Sequence, residues 1–252
     1  MKRPAPRGES VPRETLEDLA SRYELPPGAV AAFEALLKAL AAEPDPPTTV
    51  RKPAEAADVH VADSLAGLAV PELRGAGTIA DVGAGAGFPG LVLAVALPHA
   101  RVDLIEASRR KCQVIERLAR AADVRARPLA VRAEEWAAGA GSGAYDAVTA
   151  RALAPLPVLA EYAAPLLRVG GALVAWKGAR DPREEEAGAA AAEALGLEVH
   201  EALPTVPYGG SRNRHLYLYS KVRETPPEFP RRAGAAAKRP LSDTRPAPSG
   251  SA

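Results

Sequence analysis

The segment Asp81-Val82-Gly83-Ala84-Gly85-Ala86-Gly87-Phe88-Pro89-Gly90 decides the fold. In front of it lies Thr78–Val82, a short run rich in β-branched residues, which predicts a strand. Behind it runs an apolar stretch from Gly90 to Pro98, which predicts a helix and is far too short to span a bilayer. Strand, glycine-rich turn and helix in that order make the opening unit of a parallel α/β sheet. Glycine tolerates positive φ and lets the backbone pass close to a ligand. In open α/β sheets ligands bind beyond the carboxyl ends of the strands, at the topological switch point. The loop therefore predicts a nucleotide-like ligand.

Two ligands fit the loop taken alone. Gly85, Gly87 and Gly90 satisfy G-x-G-x-x-G, the dinucleotide fingerprint, and Glu106 lies 21 residues beyond Gly85, where a ribose-binding acid is expected. Asp81, Gly83, Gly85 and Gly87 match a methyltransferase loop equally well. In that reading Asp81 takes hydrogen bonds near a methionyl amine, and no pyrophosphate is bound. Pro89 removes an N–H from the first helical turn, which favours the ligand needing fewer amide donors. In either case Glu106 is the residue to hold ribose hydroxyls.

Outward from the loop, strands are expected at Arg101–Ile105, Arg127–Val131, Tyr145–Ala150, Ala172–Trp176, Leu197–Leu203 and His215–Ser220. A helix is expected over Ser108–Ala122, where Cys112, Ile115, Leu118, Ala119 and Ala122 share a face. The last two strands are joined by Pro204–Asn213, too short for a helical crossover, so the sheet is expected to end in an antiparallel pair. The fold class is α/β, a Rossmann-like sheet of seven mostly parallel strands over residues 71–222. Before it, residues 13–70 read as a helical cap: a helix over Arg13–Tyr23, a second with Pro26 and Pro27 in its first turn, and a third from Pro53 to about Leu68. Residues 1–12 read as a disordered lead-in, and residues 223–252 as a basic, proline- and alanine-rich tail that is largely disordered.

Composition narrows the class without naming it. The 252 residues are 47% hydrophobic, enough for a sizeable core, and the net charge of +1 neither points to nor excludes nucleic acid. The single cysteine, Cys112, permits no intrachain disulfide, which fits a reducing, cytoplasmic setting. The histidines His60, His99, His200 and His215 form no ligand-spaced cluster, so no metal is expected. No membrane segment is expected, and a monomer is the expected state.

Beyond the loop, further blocks carry a specific resemblance: Thr48-Thr49-Val50-Arg51; His60 with Asp63-Ser64-Leu65; Arg132-Ala133-Glu134-Glu135; Ala150-Arg151-Ala152; Gly170-Gly171; Lys177-Gly178; Arg214-His215-Leu216; and Lys221, Thr225-Pro226, Phe229-Pro230-Arg231, Gly234 and Lys238. Over roughly Thr48 to Leu241 the chain resembles the ribosomal RNA small-subunit methyltransferase G family, also called glucose-inhibited division protein B. Pro46-Pro47 stand where that family usually has Asn-Leu, and Glu106 where it often has aspartate.

The resemblance implies S-adenosylmethionine as cofactor and, as reaction, methylation of N7 of guanine 527 of 16S rRNA (RNA numbering), on the rRNA or the 30S subunit. It implies Gly83, Phe88, Ala133, Glu134 and Arg151 as cofactor residues, beside Asp81, Gly85, Gly87 and Glu106 from the loop argument. His60, Arg151 and Lys177 are expected to position substrate. RNA contacts are expected from Arg51, Lys177, Arg212, Arg214, His215, Lys221, Arg231 and Lys238. Guanine N7 has a lone pair in its neutral form, so no general base is expected. The rivals are a methyltransferase for another RNA, a protein or a small molecule, and, more remotely, an NAD-dependent oxidoreductase.

Overall fold

The computed structural model describes residues 11–241; the readings for the first ten residues and for residues 242–252 lie outside the described residues. The chain opens with α1 (Arg13–Arg22) and α2 (Ala29–Ala42), which bury Leu16 and Leu19 against Phe33, Leu36, Leu37 and Leu40. Pro26 and Pro27 lie in the turn before α2 rather than in it, because Gly28 adopts φ 90° and starts the helix after itself. The single third helix predicted for Pro53–Leu68 is broken. It runs as α3 (Pro53–Ala56), a π-helical turn (Ala57–Ala62), α4 (Asp63–Leu65) and a 3-10 turn (Ala66–Ala69), followed by α5 (Pro71–Arg74). The 3-10 turn brings Gly67 against the ring of Trp176, where a Cβ would lie only 2.3 Å from the indole. Apolar periodicity runs through these changes of pitch and conceals them.

The sheet strands are β1 (Thr78–Val82), β2 (Arg101–Ile105), β3 (Ala126–Leu129), β4 (Tyr145–Arg151), β5 (Leu167–Lys177), β6 (Leu197–Val199), β7 (Leu203–Thr205) and β8 (Arg214–Lys221). The crossovers are α6 (Gly90–Ala96), α7 (Arg109–Ala121), the short α8 (Ala133–Ala137), α9 (Leu156–Ala163) and α10 (Pro182–Leu195). Ser108 caps α7 by accepting from Lys111 N. The order is β3-β2-β1-β4-β5-β8-β6, with β7 also paired to β8. β1 to β5 are parallel, and β8 is antiparallel to β5, β6 and β7. The expected antiparallel ending is present. The sheet has eight strands instead of seven because the run Leu197–Leu203 divides into two short strands on either end of β8.

The central strands β1, β2, β4, β5 and β8 are buried on both faces, as the interior of a parallel sheet requires, while β3, β6 and β7 at the edges are more exposed. Along β5, Ala172, Val174 and Trp176 face one cluster while Leu173 and Ala175 face the other. β8 repeats the alternation, with Leu216 and Leu218 opposed to Tyr217 and Tyr219. The first cluster is continuous with the apolar faces of α1 and α2, so the N-terminal helices complete the core of the sheet. The chain crosses from β3 back to β4, on the far side of β1, so the switch point lies between β1 and β4.

The expected disordered tail is corrected for residues 223–241. Arg231 forms a two-pronged ion pair with the buried Glu161 of α9, and its Nη2 also donates to Arg239 O. Gly234 N donates to Glu134 Oε1 at 2.6 Å, and a last helix, α11 (Ala235–Lys238), packs on α9. Phe229 and Leu241 lie against the second cluster. This segment is held by one ion pair, a few hydrogen bonds and isolated apolar contacts from Phe229, Ala236 and Leu241, and no apolar stripe in its sequence announces that attachment.

Two expected RNA contacts are corrected with it. Lys221 is buried, its ammonium bonded to Ala164 O, Leu195 O and the Thr225 hydroxyl. Arg231 spends its guanidinium on Glu161. Arg231→Met is expected to lower unfolding free energy by about 3 kcal/mol, because it strands a buried carboxylate, and replacing Glu161 with Met as well is expected to recover most of that loss. Urea denaturation of the two variants checks this; equal stability of the single variant and the wild type would show the tail is not anchored there.

Candidate active site

A cavity of about 460 Å³ opens at the carboxyl ends of β1, β2, β3 and β4. The end of β1 contributes Gly83 and Gly85, β2 contributes Glu106, the segment after β3 contributes Ala133 and Glu134, and β4 contributes Arg151. Phe88 and His60 close it from the side of the helical cap, and Tyr162 of α9 from the other. These are seven of the nine cofactor residues expected from sequence: Gly83, Gly85, Phe88, Glu106, Ala133, Glu134 and Arg151.

Asp81 and Gly87 lie elsewhere. Asp81 is buried behind the loop, where Oδ2 accepts from Gly90 N at 2.9 Å and Oδ1 from the Thr149 hydroxyl at 3.1 Å. Burial pushes its carboxyl up to about 7, although the Gly90 amide, the Thr149 hydroxyl and the Arg151 charge all pull the other way. Asp81 thus ties the loop to the first turn of α6 and to β4. Gly87 has φ 97°, and a Cβ there would strike Leu91 at 2.5 Å, so its glycine serves loop packing.

The residues that do line the cavity fit an adenosyl amino acid. Gly85, at φ 58°, leaves the space where a Cβ would stand open, its nearest neighbour being Gly83 O at 3.8 Å. Glu106 is braced by Gly85 N on Oε2 (3.1 Å) and Ser108 N on Oε1 (2.9 Å). Each of those oxygens keeps a second lone pair, the acceptors that two ribose hydroxyls need. Glu134 is held by Gly234 N, so the C-terminal segment supports the cavity wall.

The rim is organised by Arg151. Its Nη1 donates to Asp63 Oδ2 at 2.9 Å and to Val59 O at 2.8 Å, and its Nη2 lies 3.3 Å from His60 Nδ1. A guanidinium has no acceptor, so Nδ1 must accept. His60 therefore carries its proton on Nε2, which faces Val50 O at 3.2 Å and the Thr48 hydroxyl at 3.3 Å. Burial and the Arg151 charge push the imidazole down to about 4, so the ring is neutral near pH 7. It stacks on Phe88 with centroids 4.4 Å apart and planes within 5°. Both ring nitrogens are engaged, which leaves His60 no free nitrogen to act as a base.

A smaller cavity, about 150 Å³, adjoins the first through Arg151 and Ala152. Asp63, Trp176, Lys177, Arg214 and His215 line it. Lys177 pairs with Glu184 at 2.6 Å, and His215 Nδ1 faces Gly178 O at 2.9 Å. Arg51 and Arg212 are exposed on the cap and the β7–β8 connection, and Lys238 is exposed on α11. Sequence reasoning missed Asp63, Trp176 and Tyr162 as site residues; of these only Asp63 had a signal, its spacing of three from His60. Among the described residues no group of three or more His, Cys, Asp or Glu is placed to hold a metal.

A glycine loop after the first strand, an acid after the second and an eighth strand antiparallel to the fifth define a class I S-adenosylmethionine-dependent methyltransferase. The fold is shared with an S-adenosylmethionine-dependent O-methyltransferase of Thermotoga maritima (TM-score 0.51, 17% identity, 75% of this chain and 72% of that one). It is shared also with the Methanococcus jannaschii fibrillarin pre-rRNA processing protein (TM-score 0.50, 18% identity, 64% and 74%). Residues 46–216 match the family described as rRNA small subunit methyltransferase G, and the chain belongs to that family. Relatives named ribosomal RNA small subunit methyltransferase G include those of Rubrobacter xylanophilus (46% identity, 72% of each chain) and Symbiobacterium thermophilum (40%, 77% of this chain and 82% of the relative).

Two outcomes follow from this geometry. Gly85→Asp is expected to weaken S-adenosylmethionine binding more than about tenfold, by placing an unpaired carboxylate in the cradle; calorimetry reads it, and unchanged affinity would remove the loop from the cofactor site. Asp81 binds a proton in the folded chain up to about pH 7, but only to its ordinary 3.8 when unfolded. Wild-type stability should therefore fall relative to Asp81→Asn as pH rises from about 4 to 7. Chemical denaturation across that range checks the sign, and parallel curves would show that the raised value is absent.

Proposed function

We propose that this chain methylates N7 of a guanine in small-subunit ribosomal RNA, guanine 527 of 16S rRNA in RNA numbering, with the 30S subunit or an assembly intermediate as partner. The observation that carries the reading is the joining of two cavities at Arg151 and Ala152: one built for the cofactor, the other small, cation-lined and at the rim. The names of the relatives support the RNA class.

Bound S-adenosylmethionine supplies a methyl group on a sulfonium. The chain's own residues hold and orient. Glu106, the Gly83–Gly85 backbone and the Ala133–Glu134 turn hold the nucleoside end. Phe88 and His60 form a flat apolar wall, and Arg151 fixes the border where the acceptor enters. Guanine N7 attacks with its own lone pair, and no proton has to move. Rate enhancement then rests on alignment, which fits a site whose cofactor cavity holds an imidazole, His60, with both nitrogens spent on structure. The target base must leave its stack to enter so small a cavity.

Arg51, Arg212, Arg214, His215 and Lys238 are the groups proposed to meet RNA phosphates, with Lys177 at the cavity mouth; Lys221 and Arg231 drop out of that set. No helix among the described residues is long and apolar enough to cross a membrane, and we place the enzyme in the cytoplasm as a monomer. The decisive experiment is transfer of radiolabelled methyl to 30S subunits lacking the modification and to naked 16S rRNA, mapped by borohydride–aniline cleavage. Label at one guanine N7 is expected, and Arg214→Ala should raise KM for RNA and reduce the salt slope by about one while leaving cofactor affinity unchanged. Label elsewhere, or none, would turn the reading toward a protein or small-molecule substrate.

A further inference from the structure

The smaller cavity holds a single carboxylate, Asp63, which is 4% exposed. Its Oδ2 is bonded to Arg151. Its Oδ1 takes no hydrogen bond among the described residues, and the nearest cation, Arg214 Nε, stands off at 3.9 Å. No fully buried side-chain oxygen among the described residues lacks a partner, so Oδ1 opens to the space of the cavity. Asp63 is the one anion among the side chains that line this cavity, and two of its neighbours are already engaged. The Trp176 N–H is spent on Asp63 O at 2.7 Å, and Lys177 on Glu184 and Ala154 O. A carboxylate oxygen left open in a cation-rich pocket is an acceptor awaiting a donor.

Guanine meets that description. Its Watson–Crick edge presents two neighbouring donors, N1–H and the 2-amino group, whereas adenine and cytosine each set one amino donor beside an acceptor. N7 lies on the opposite side of the purine, so a base held by its N1–N2 edge turns N7 away from the holding group. We propose that Asp63 reads the N1–H and 2-amino donors of the target guanine and thereby turns N7 toward the cofactor cavity across Arg151. This assignment rests on the guanine-N7 reading above and adds the residue that selects the base. The Asp63–Arg151 bond makes the arrangement firm: the reading group is braced by the residue that borders both cavities. A site built to accept from a substrate N–H rejects the analogue that lacks it, because its own buried acceptor is then left unpaired.

The test is methyl transfer to 30S subunits reconstituted with guanosine or inosine at the target position; inosine keeps N1–H, O6 and N7 and lacks the 2-amino group. The wild type is expected to show kcat/KM lower by about tenfold or more on inosine, the size set by one hydrogen bond to a charged acceptor. Asp63→Ala, which removes the acceptor, should be slower on guanosine and lose most of that preference, while Asp63→Asn, which keeps a neutral acceptor, should retain part of it. Calorimetric S-adenosylmethionine affinity identifies variants that remain folded. Equal use of both bases by the wild type overturns the assignment whatever the variants do. So does an Asp63→Ala protein that binds cofactor and keeps the full preference. Absence of label on wild-type guanosine subunits overturns the guanine reading, and the Asp63 assignment falls with it.

Discussion

Arg151 is the group on which the site depends. It ends β4 at the switch point, and its guanidinium is fastened to three places on the broken third helix: Asp63, Val59 O and His60 Nδ1. Those bonds join the helical cap to the sheet at the position where the two cavities meet. They also decide the state of His60, because a donor on Nδ1 forces the proton to Nε2. Val59 and His60 come from the π-helical turn and Asp63 from the first residue of α4, so all three reach the guanidinium from one face of the broken helix. With 14% of its side chain exposed, the ion pair is shielded enough that its geometry matters more than its net energy.

The sheet makes this arrangement possible by burying both faces. The N-terminal helices with α6 and α7 cover one side and α8, α9 and α10 the other, so the strand ends are the remaining edge at which ligands can approach. The cap is therefore part of the active site in two senses. It supplies about a third of the first core cluster, and it supplies His60 and Asp63. The C-terminal segment plays the matching role on the opposite side, where Gly234 braces Glu134 and Arg231 neutralises Glu161.

Polar groups near the site are divided between holding the protein and meeting ligands. Asp81 and His60 both look chemically active in sequence, yet each is committed to internal hydrogen bonds and shifted by burial toward its neutral form. Glu106 is braced but keeps acceptor capacity, and Asp63 keeps one oxygen open. That division suits a methyl transfer in which the nucleophile brings its own lone pair and the protein contributes position.

The sequence by itself determined the α/β class, the strand–loop–helix unit at Asp81–Gly90, the antiparallel ending and the placing of Gly85 and Glu106 at the cavity, because each follows from local chemistry: glycine freedom, a loop too short for a crossover, an acid at a strand end; Gly83, Phe88, Ala133, Glu134 and Arg151, which also line it, were expected from the family resemblance. The pitch changes between Pro53 and Ala69, the split of Leu197–Thr205 into two strands, the anchoring of residues 223–241, the engagement of Asp81, Lys221 and Arg231 by internal partners, the packing of Gly87 against Leu91, and the one open oxygen of Asp63 were decided by the tertiary structure. Most of these depend on a partner far along the chain: Trp176 against Gly67, β8 between β6 and β7, Glu161 for Arg231, Arg151 for Asp63. Pattern reading along a chain sees which side chains a segment carries, and only packing determines which of them are used up before a ligand arrives.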